Sequence, residues 1–217
     1  MHPIFAAIDV GDIQLVHGLL HMNPAALNGV VGDYGQSPLM HAISNMDRTF
    51  ELVEFLVAQG ADVNFATNEG YTPLHSNIGL NGPSGTGGLP YRIARLLKDR
   101  GADPEARNHY GWTPLMRAGL EGTDDEFEAL LKIGAKYDVE YTPASMPRFT
   151  RGRSLANIVL PSPEKMALLL AYGFKPQQSL LGEGEREIAE AKDPASDYCR
   201  DVAKSLELIK AALPPGA

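Results

Sequence analysis

Apolar residues in the middle of this chain recur at intervals of three and four, which is the spacing of one buried helix face. The clearest runs are Leu52 to Leu56, Ile93 to Leu97 and Phe127 to Leu131. Each run is followed by a Gly-Ala pair, beginning at Gly60, Gly101 and Gly134. A glycine just past an apolar run allows the left-handed backbone that ends a helix. The pattern therefore predicts helices that stop at regular points, with Leu96 and Leu97 in the core.

A second set of helices is predicted to begin at a short motif. Segments 35–40, 70–75 and 111–116 read GQSPLM, GYTPLH and GWTPLM. The Ser or Thr can cap a helix start, and proline suits the first helical position because its missing N–H is not needed there. The predicted unit is a turn, a short helix, a longer helix and a glycine stop.

Weaker copies extend this unit toward both ends of the chain. Phe5 and Leu20 fall on the two helices of a first copy, and Ser154 replaces the threonine in a fifth. One helix pair cannot bury its own apolar face, so the copies are expected to stack into one domain over residues 1–217. The approximate repeats are 1–34, 35–69, 70–110, 111–152, 153–182 and 183–217.

The TPLH motif and its spacing resemble the ankyrin repeat, a unit of about 33 residues. The resemblance implies an all-α ankyrin-repeat solenoid of helix-turn-helix units joined by hairpin loops, with about six repeats including degenerate terminal caps. It also implies that His75 makes structural hydrogen bonds within its repeat. The same resemblance gives Asn64 a hairpin-stabilising role at a position that is hydroxylated in some family members.

Two insertions depart from the repeat period. About eight extra residues lie around 80–90, between the two helices of repeat three, and about eight more lie within 136–151. The second insertion, which we call the finger, combines tyrosine, phenylalanine and arginine, residue types enriched at interfaces. A partner with acidic groups would suit it. The alternatives are neutral loop growth, or aromatic rings that tuck back onto the solenoid beside arginines that only solubilise the loop.

The residue before each motif Ser or Thr is expected, by the same resemblance, to face the concave groove. It is Gln36, Tyr71, Trp112 and Arg153 in successive repeats. The alternative is that Tyr71 and Trp112 stack on each other and fill a gap between repeats. The predicted partner-binding residues of groove and finger are Tyr34, Gln36, Tyr71, Tyr110, Trp112, Tyr141, Arg148, Phe149, Arg151 and Arg153.

Composition and charge narrow the classes of function. The 217 residues are 44% hydrophobic, and 19 Lys and Arg against 27 Asp and Glu give a net charge of -8. This charge opposes general binding to nucleic acid or to an anionic membrane surface. Apolar runs fall short of the roughly 20 residues that a bilayer span needs, and no basic segment precedes an apolar one at the N-terminus. We expect a monomeric cytoplasmic protein without membrane insertion.

Candidate catalytic and cofactor motifs are incomplete. The loop 82–88 is rich in glycine but has no Walker A lysine, so nucleotide binding is disfavoured. His17 and His21 are spaced i, i+4 without the glutamate of a zinc-protease helix, and no histidine accompanies Cys199 in its repeat. No metal, cofactor or catalytic residue is predicted.

The resulting hypothesis is a non-catalytic scaffold that binds a protein partner of unknown identity through its groove and finger. The alternative is an inhibitor or immunity-type protein that occludes the active site of a partner enzyme. An enzyme or nucleotide binder that uses the loop 82–88 is the least favoured hypothesis.

Overall fold

The computed structural model describes residues 3–30, 35–45, 50–79, 88–138 and 154–214. Within these ranges the helices come in pairs, each a first helix and a second helix. The pairs are α1 (Pro3–Asp9) with α2 (Ile13–Met22), α3 (Pro38–Ser44) with α4 (Phe50–Ala58), α5 (Pro73–Ser76) with α6 (Leu89–Asp99), α7 (Pro114–Glu121) with α8 (Asp124–Lys132), α9 (Leu155–Val159) with α10 (Pro163–Ala171), and α11 (Gln178–Ala189) with α12 (Asp197–Ala212). A short 3₁₀ helix, Pro24–Asn28, follows α2. The all-α repeat solenoid is confirmed.

The motif residues begin the helices as predicted. The Ser37 hydroxyl accepts from the Met40 N–H at 3.3 Å, and the Thr113 hydroxyl accepts from the Met116 N–H at 3.3 Å. A reciprocal pair at Thr123 begins α8, where the Glu126 carboxylate accepts from the Thr123 N–H at 2.9 Å. These bonds satisfy N–H groups that have no partner within a helix.

The helix pairs stack in two layers. First helices pack in series from α1 through α3, α5, α7 and α9 to α11, and second helices pack in series from α4 through α6, α8 and α10 to α12. The core lies between the layers. The first helices contribute the fully buried motif leucines Leu39, Leu74 and Leu115 to this core. The second helices contribute Leu56, Leu97 and Phe127, which are also fully buried.

Leu96 corrects the predicted core register of α6. Leu97 is fully buried, whereas Leu96 is half-buried and packs at the margin of the core. Adjacent helical residues differ in direction by about 100°, so only one of the two leucines can point directly between the layers.

The last helix pair depends on a glycine that the sequence pattern did not single out. Helix α11 begins at Gln178, ahead of residue 183, the predicted start of the sixth repeat. Gly184 is buried within it, and a Cβ atom there would lie 2.6 Å from Leu206 Cδ2 of α12. The missing side chain therefore allows α11 and α12 to approach closely.

We expect Gly184→Ala to lower the free energy of unfolding by about 1–3 kcal/mol, because the added methyl overpacks the interface with Leu206. Gly182→Ala is the matched control in the same helix, since nothing lies within 4 Å of its Cβ position. It should stabilise the protein by up to about 1 kcal/mol through helix propensity. Urea denaturation of both variants measures the contrast, and equal effects would contradict close packing at Gly184.

Side chains in the turns between repeats bridge to the following repeat. Asn28 Oδ1 accepts from the Asp62 N–H at 3.0 Å. Asn64 Oδ1 accepts from the Asp103 N–H at 2.8 Å, and its Nδ2 donates to the Gly101 carbonyl at 2.9 Å. The expected structural role of Asn64 is thus a bridge between neighbouring repeats. Its modification stays a prediction.

Glu105 occupies the position in the next turn that corresponds to Asn64. Glu105 Oε1 accepts from the Lys136 N–H at 2.8 Å, but Oε2 is buried without a hydrogen-bond partner. The corresponding atom of Asn64 is an amide nitrogen that donates to a glycine carbonyl. A carboxylate oxygen cannot make that donation.

Glu105→Gln is therefore expected to raise the free energy of unfolding by about 0.5–1.5 kcal/mol, because it places a donor where a buried acceptor lacks a partner. The reciprocal change Asn64→Asp removes the donor of an exposed hydrogen bond and should lower it by about 0.5–1.5 kcal/mol. Thermal and urea melts of both variants test the equivalence of the two turns. A destabilised Glu105→Gln protein would refute it.

Candidate functional site

A pocket opens on the first-helix side of the solenoid, between repeats two and four. We call it the groove pocket, and its volume is about 310 Å³. Polar side chains make up most of its lining, with apolar contributions from Met40 and Ile78. The full lining is Gln36, Met40, Ser44, Thr67, Glu69, Tyr71, Ser76, Ile78, Gly79 and Arg117. Residues from three successive repeats therefore meet in one concavity.

The turn that carries Tyr71 is held by short-range bonds. The Thr67 N–H donates to the Tyr71 carbonyl at 2.9 Å, and the Tyr71 N–H donates back to the Thr67 hydroxyl at 3.1 Å. Gly70 has φ +80°, and a Cβ there would lie 3.0 Å from Asn108 Cα. Glycine is required at this position both for the left-handed backbone and for the close approach of the next turn. The tyrosine is thus presented from a rigid turn.

Arg117 of α7 is fixed beside Tyr71. Its guanidinium carbon lies 4.9 Å from the centre of the Tyr71 ring. Nη1 donates to the His75 carbonyl at 2.8 Å, and Nε donates to Glu121 Oε2 at 3.0 Å. A cation over an aromatic face is attracted by the negative face of the ring. The Tyr71–Arg117 pair is therefore preorganised before any partner arrives.

Tyr71 keeps its proton at neutral pH. Burial raises the pKa of its hydroxyl above 10.0; Arg117 opposes the rise, and the carboxylates of Glu121 and Glu69 add to it. The phenol consequently offers the pocket a neutral O–H group, which can both donate and accept a hydrogen bond.

His75 joins the Tyr71 turn to the following repeat. Its Nε2–H donates to the Trp112 carbonyl at 2.9 Å, and its Nδ1 accepts from the Thr72 N–H at 3.2 Å and faces the Thr72 hydroxyl at 2.9 Å. Burial lowers the pKa of His75 from 6.5 to about 4, and the nearby charge of Arg117 lowers it further, against the effect of the bond to Trp112. The neutral imidazole is thus a structural bridge that extends beyond its own repeat.

Trp112 corrects the expectation that it faces the groove. It is only 9% exposed and belongs to the hydrophobic core, with its ring 5.4 Å from that of Tyr110 at a tilt of 35°. Tyr71, in the equivalent place of the preceding repeat, is half-exposed and lies 5.6 Å edge-on from His75. A large indole gains more from burial than a phenol that keeps its hydroxyl near water. Tyr110 is half-buried against the core.

The other predicted partner-binding residues divide into two groups. Gln36 lies in the groove pocket, half-buried. The rest lie outside the described residues, namely Tyr34, Tyr141, Arg148, Phe149, Arg151 and Arg153. Tyr137, at the start of the finger, packs edge-on against Phe174 with ring centres 6.1 Å apart. For this one tyrosine, the structure matches the alternative of a ring that tucks back onto the solenoid.

Arg117 is a groove residue that sequence reasoning missed. Its i, i+4 pairing with Glu121 is a recognisable signal of an exposed helix face, but nothing local indicates that the face borders Tyr71. Ser76 and Ile78 were missed for the same reason, since their place in the lining depends on how neighbouring repeats stack.

The residues considered for catalysis do not form a reactive set in the described part of the chain. Cys199 is buried, with its sulfur 3.5 Å from the Asp193 carbonyl. His17 and His21 line a pocket with Gln59. Across the described ranges, no three His, Cys, Asp or Glu side chains gather as metal ligands. Of the loop 82–88, only Gly88 is described, and it precedes α6.

Among the described residues, no helix is both long enough and apolar enough to cross a bilayer.

Residues 4–82 match the sequence family of ankyrin repeats in three copies. The chain is 35% identical over 115 residues to the mouse (Mus musculus) B-cell lymphoma 3 protein homolog, covering 53% of this chain and 23% of that protein. It is 30% identical over 108 residues to a putative ankyrin repeat protein of Rickettsia felis, covering 49% and 46%. It is 32% identical over 126 residues to mouse (Mus musculus) ankyrin repeat and SOCS box protein 16, covering 57% and 28%. The chain thus spans less than half the length of each relative.

Proposed function

Because this chain is an ankyrin-repeat protein, we propose that it is a non-catalytic scaffold that binds a protein partner along its concave groove. Ankyrin repeats are generally protein–protein interaction modules. The observation that carries the proposal is the groove pocket, in which Gln36, Tyr71 and Arg117 from three repeats line one concavity.

The physical state of these residues favours binding. Tyrosine and arginine dominate the energetics of many interfaces, because they supply large contact areas and several hydrogen bonds. Here the turn bonds hold the Tyr71 backbone, and two hydrogen bonds hold the Arg117 guanidinium. Groups ordered in advance lose less conformational entropy on binding. A partner would therefore meet a surface that needs little rearrangement.

The finger is the second part of the proposed interface. Its residues Tyr141, Arg148, Phe149 and Arg151, together with Arg153 just after it, combine aromatic rings with cations in an acidic chain. Insertions on a rigid scaffold are common places for binding residues. We assign the finger to the same partner as the groove, as an additional contact.

Site-specific photocrosslinking tests the location of the interface. A benzoylphenylalanine at Gln36 reports on the groove, and one at Ala167, exposed on α10, reports on the second-helix face. In extract of the source cells, we expect Gln36 to yield a discrete protein adduct that Ala167 does not yield. Adducts at Ala167 alone, or equal adducts at both positions, would contradict a groove interface.

Once the adduct is identified, purified partner and chain allow a quantitative test. Arg117→Ala removes the side chain that packs on the Tyr71 ring and bonds the His75 carbonyl, so Tyr71 loses its fixed position, and we expect about tenfold or greater loss of affinity, as for an interface hot spot. Arg95→Ala is the control, because Arg95 is an exposed arginine of α6 that also forms an i, i+4 ion pair. Equal affinities of the two variants would place the partner elsewhere.

A further inference from the structure

We propose that the groove pocket receives a basic side chain, lysine or arginine, from the protein partner, with the Glu69 carboxylate as its counter-ion. This inference rests on the proposed function and adds the chemistry of the group that is recognised.

The Glu69 carboxylate is the negative charge that we expect the partner's cation to neutralise. Its backbone is fixed, since its carbonyl accepts from the His109 N–H at 2.8 Å. Its side chain is half-buried in the lining of the pocket. Among the described residues, the carboxylate makes no hydrogen bond or ion pair. A partly desolvated carboxylate without a counter-ion gains energy when a cation enters beside it.

Arg117 does not supply that counter-ion. Its Nε is paired with Glu121 at 3.0 Å, its Nη1 is bonded to the His75 carbonyl, and its face lies on the Tyr71 ring. Among the described residues that act on Tyr71, one guanidinium therefore stands against two carboxylates, Glu121 and Glu69. An acidic side chain of a partner would meet this excess negative charge, whereas a basic one would neutralise it.

The rest of the lining suits the shape of a long basic side chain. Met40 and Ile78 are apolar surfaces for the methylene stem, which lysine and arginine bury while their charged ends remain hydrated or paired. Gln36 and Ser44 add oxygen acceptors at the same pocket. The net charge of -8 attracts a basic partner at long range.

Three tripeptides test the chemistry without knowledge of the partner. The probes are acetyl-Gly-Lys-Gly-amide, its uncharged norleucine analogue and its glutamate analogue, each titrated at low salt into ¹⁵N-labelled full-length protein. We expect the lysine peptide to shift the amide signals of Tyr71, Ile78 and Gly79 in a saturable way, and the other two to leave them unchanged. Stronger shifts with the glutamate peptide, equal shifts with norleucine, or no saturable shift with lysine would overturn the proposal.

Two variants show whether Glu69 is the counter-ion. Glu69→Gln keeps the size of the side chain and is expected to weaken the lysine peptide about fivefold. Glu54→Gln removes the same charge from an exposed position on α4 and should leave the affinity unchanged. Equal affinity of Glu69→Gln and the parent protein would overturn the assignment. Groove crosslinks from Gln36 without lysine binding would refute this inference alone, whereas absent groove crosslinks would refute the proposed function.

Discussion

Replacing Trp112 with alanine is expected to lower the free energy of unfolding by about 3–5 kcal/mol, the range for truncating a buried indole. Trp112 is 9% exposed within the core, and its ring lies against that of Tyr110. The bonds of its backbone to His75 and Asn108 do not need the side chain. The loss should therefore come from the cavity left between the repeats.

Tyr71→Ala is the matched control for this cavity, because it truncates an aromatic ring at the equivalent place of the preceding repeat. Tyr71 is half-exposed, so we expect a loss of about 1–2 kcal/mol. Urea unfolding followed by circular dichroism is the suitable measurement, since Trp112 is the single tryptophan and its removal abolishes that fluorescence signal. If Trp112→Ala lowered the free energy of unfolding less than Tyr71→Ala, the Trp112 side chain would have to lie at the groove surface and not in the core.

Acid is expected to destabilise the protein through His75, by about 3 kcal/mol between pH 7.5 and 4. Burial holds the pKa of His75 at about 4 in the folded state, against 6.5 for an exposed imidazole. Between these values the unfolded chain binds a proton that the folded chain does not. The contribution is therefore complete above pH 6.5, is lost as the pH falls toward 4, and changes no further below that.

His75→Gln isolates this contribution from those of the carboxylates. Glutamine keeps a donor and an acceptor but does not titrate in this range. The free energy of unfolding of both proteins, measured by urea denaturation across the pH range, gives two curves whose difference should narrow by about 3 kcal/mol on acidification. Parallel curves would show that His75 titrates normally in the folded protein.

The experiments on Trp112 and His75 also concern the groove pocket. His75 donates to the Trp112 carbonyl, and its own carbonyl accepts from Arg117. Protonation of the imidazole replaces an acceptor at Nδ1, beside the Thr72 N–H, with a donor. Loss of that bond would loosen the turn that carries Tyr71. Because the folded protein protonates His75 only near pH 4, groove binding should persist through most of the interval in which stability falls and weaken as the pH reaches about 4.

The sequence by itself determined where most helices begin and end. Ser37 and Thr113 cap helices at the predicted residues, and Gly60 and Gly101 have φ of +92° and +89° just past second helices. These features depend on bonds within a few residues and on steric limits of a single residue. They are therefore encoded locally, and a repeated local code predicts a stacked solenoid.

Which side chains are buried was decided by the tertiary structure. Tyr71 and Trp112 occupy the same place in successive motifs, yet one borders a pocket and the other lies in the core. A lysine is usually found at the surface, but Lys165 is only 7% exposed. Its Nζ donates to the carbonyl of Gly122, just past the end of α7, at 2.6 Å. Each outcome depends on the neighbouring repeat and not on the residue's own motif.

The groove pocket was likewise set by stacking. Gln36, Glu69 and Arg117 are far apart in sequence and come together because first helices and turns of consecutive repeats align on one side. Motif spacing predicts which helix faces align, but not which side chains on those faces meet. Whether a carboxylate is paired or unpaired depends on distances of a few ångströms, since ion pairs and hydrogen bonds act only at contact. Local sequence determines the helices of each repeat. Packing between repeats determines which of its side chains are buried, paired or exposed in the groove pocket.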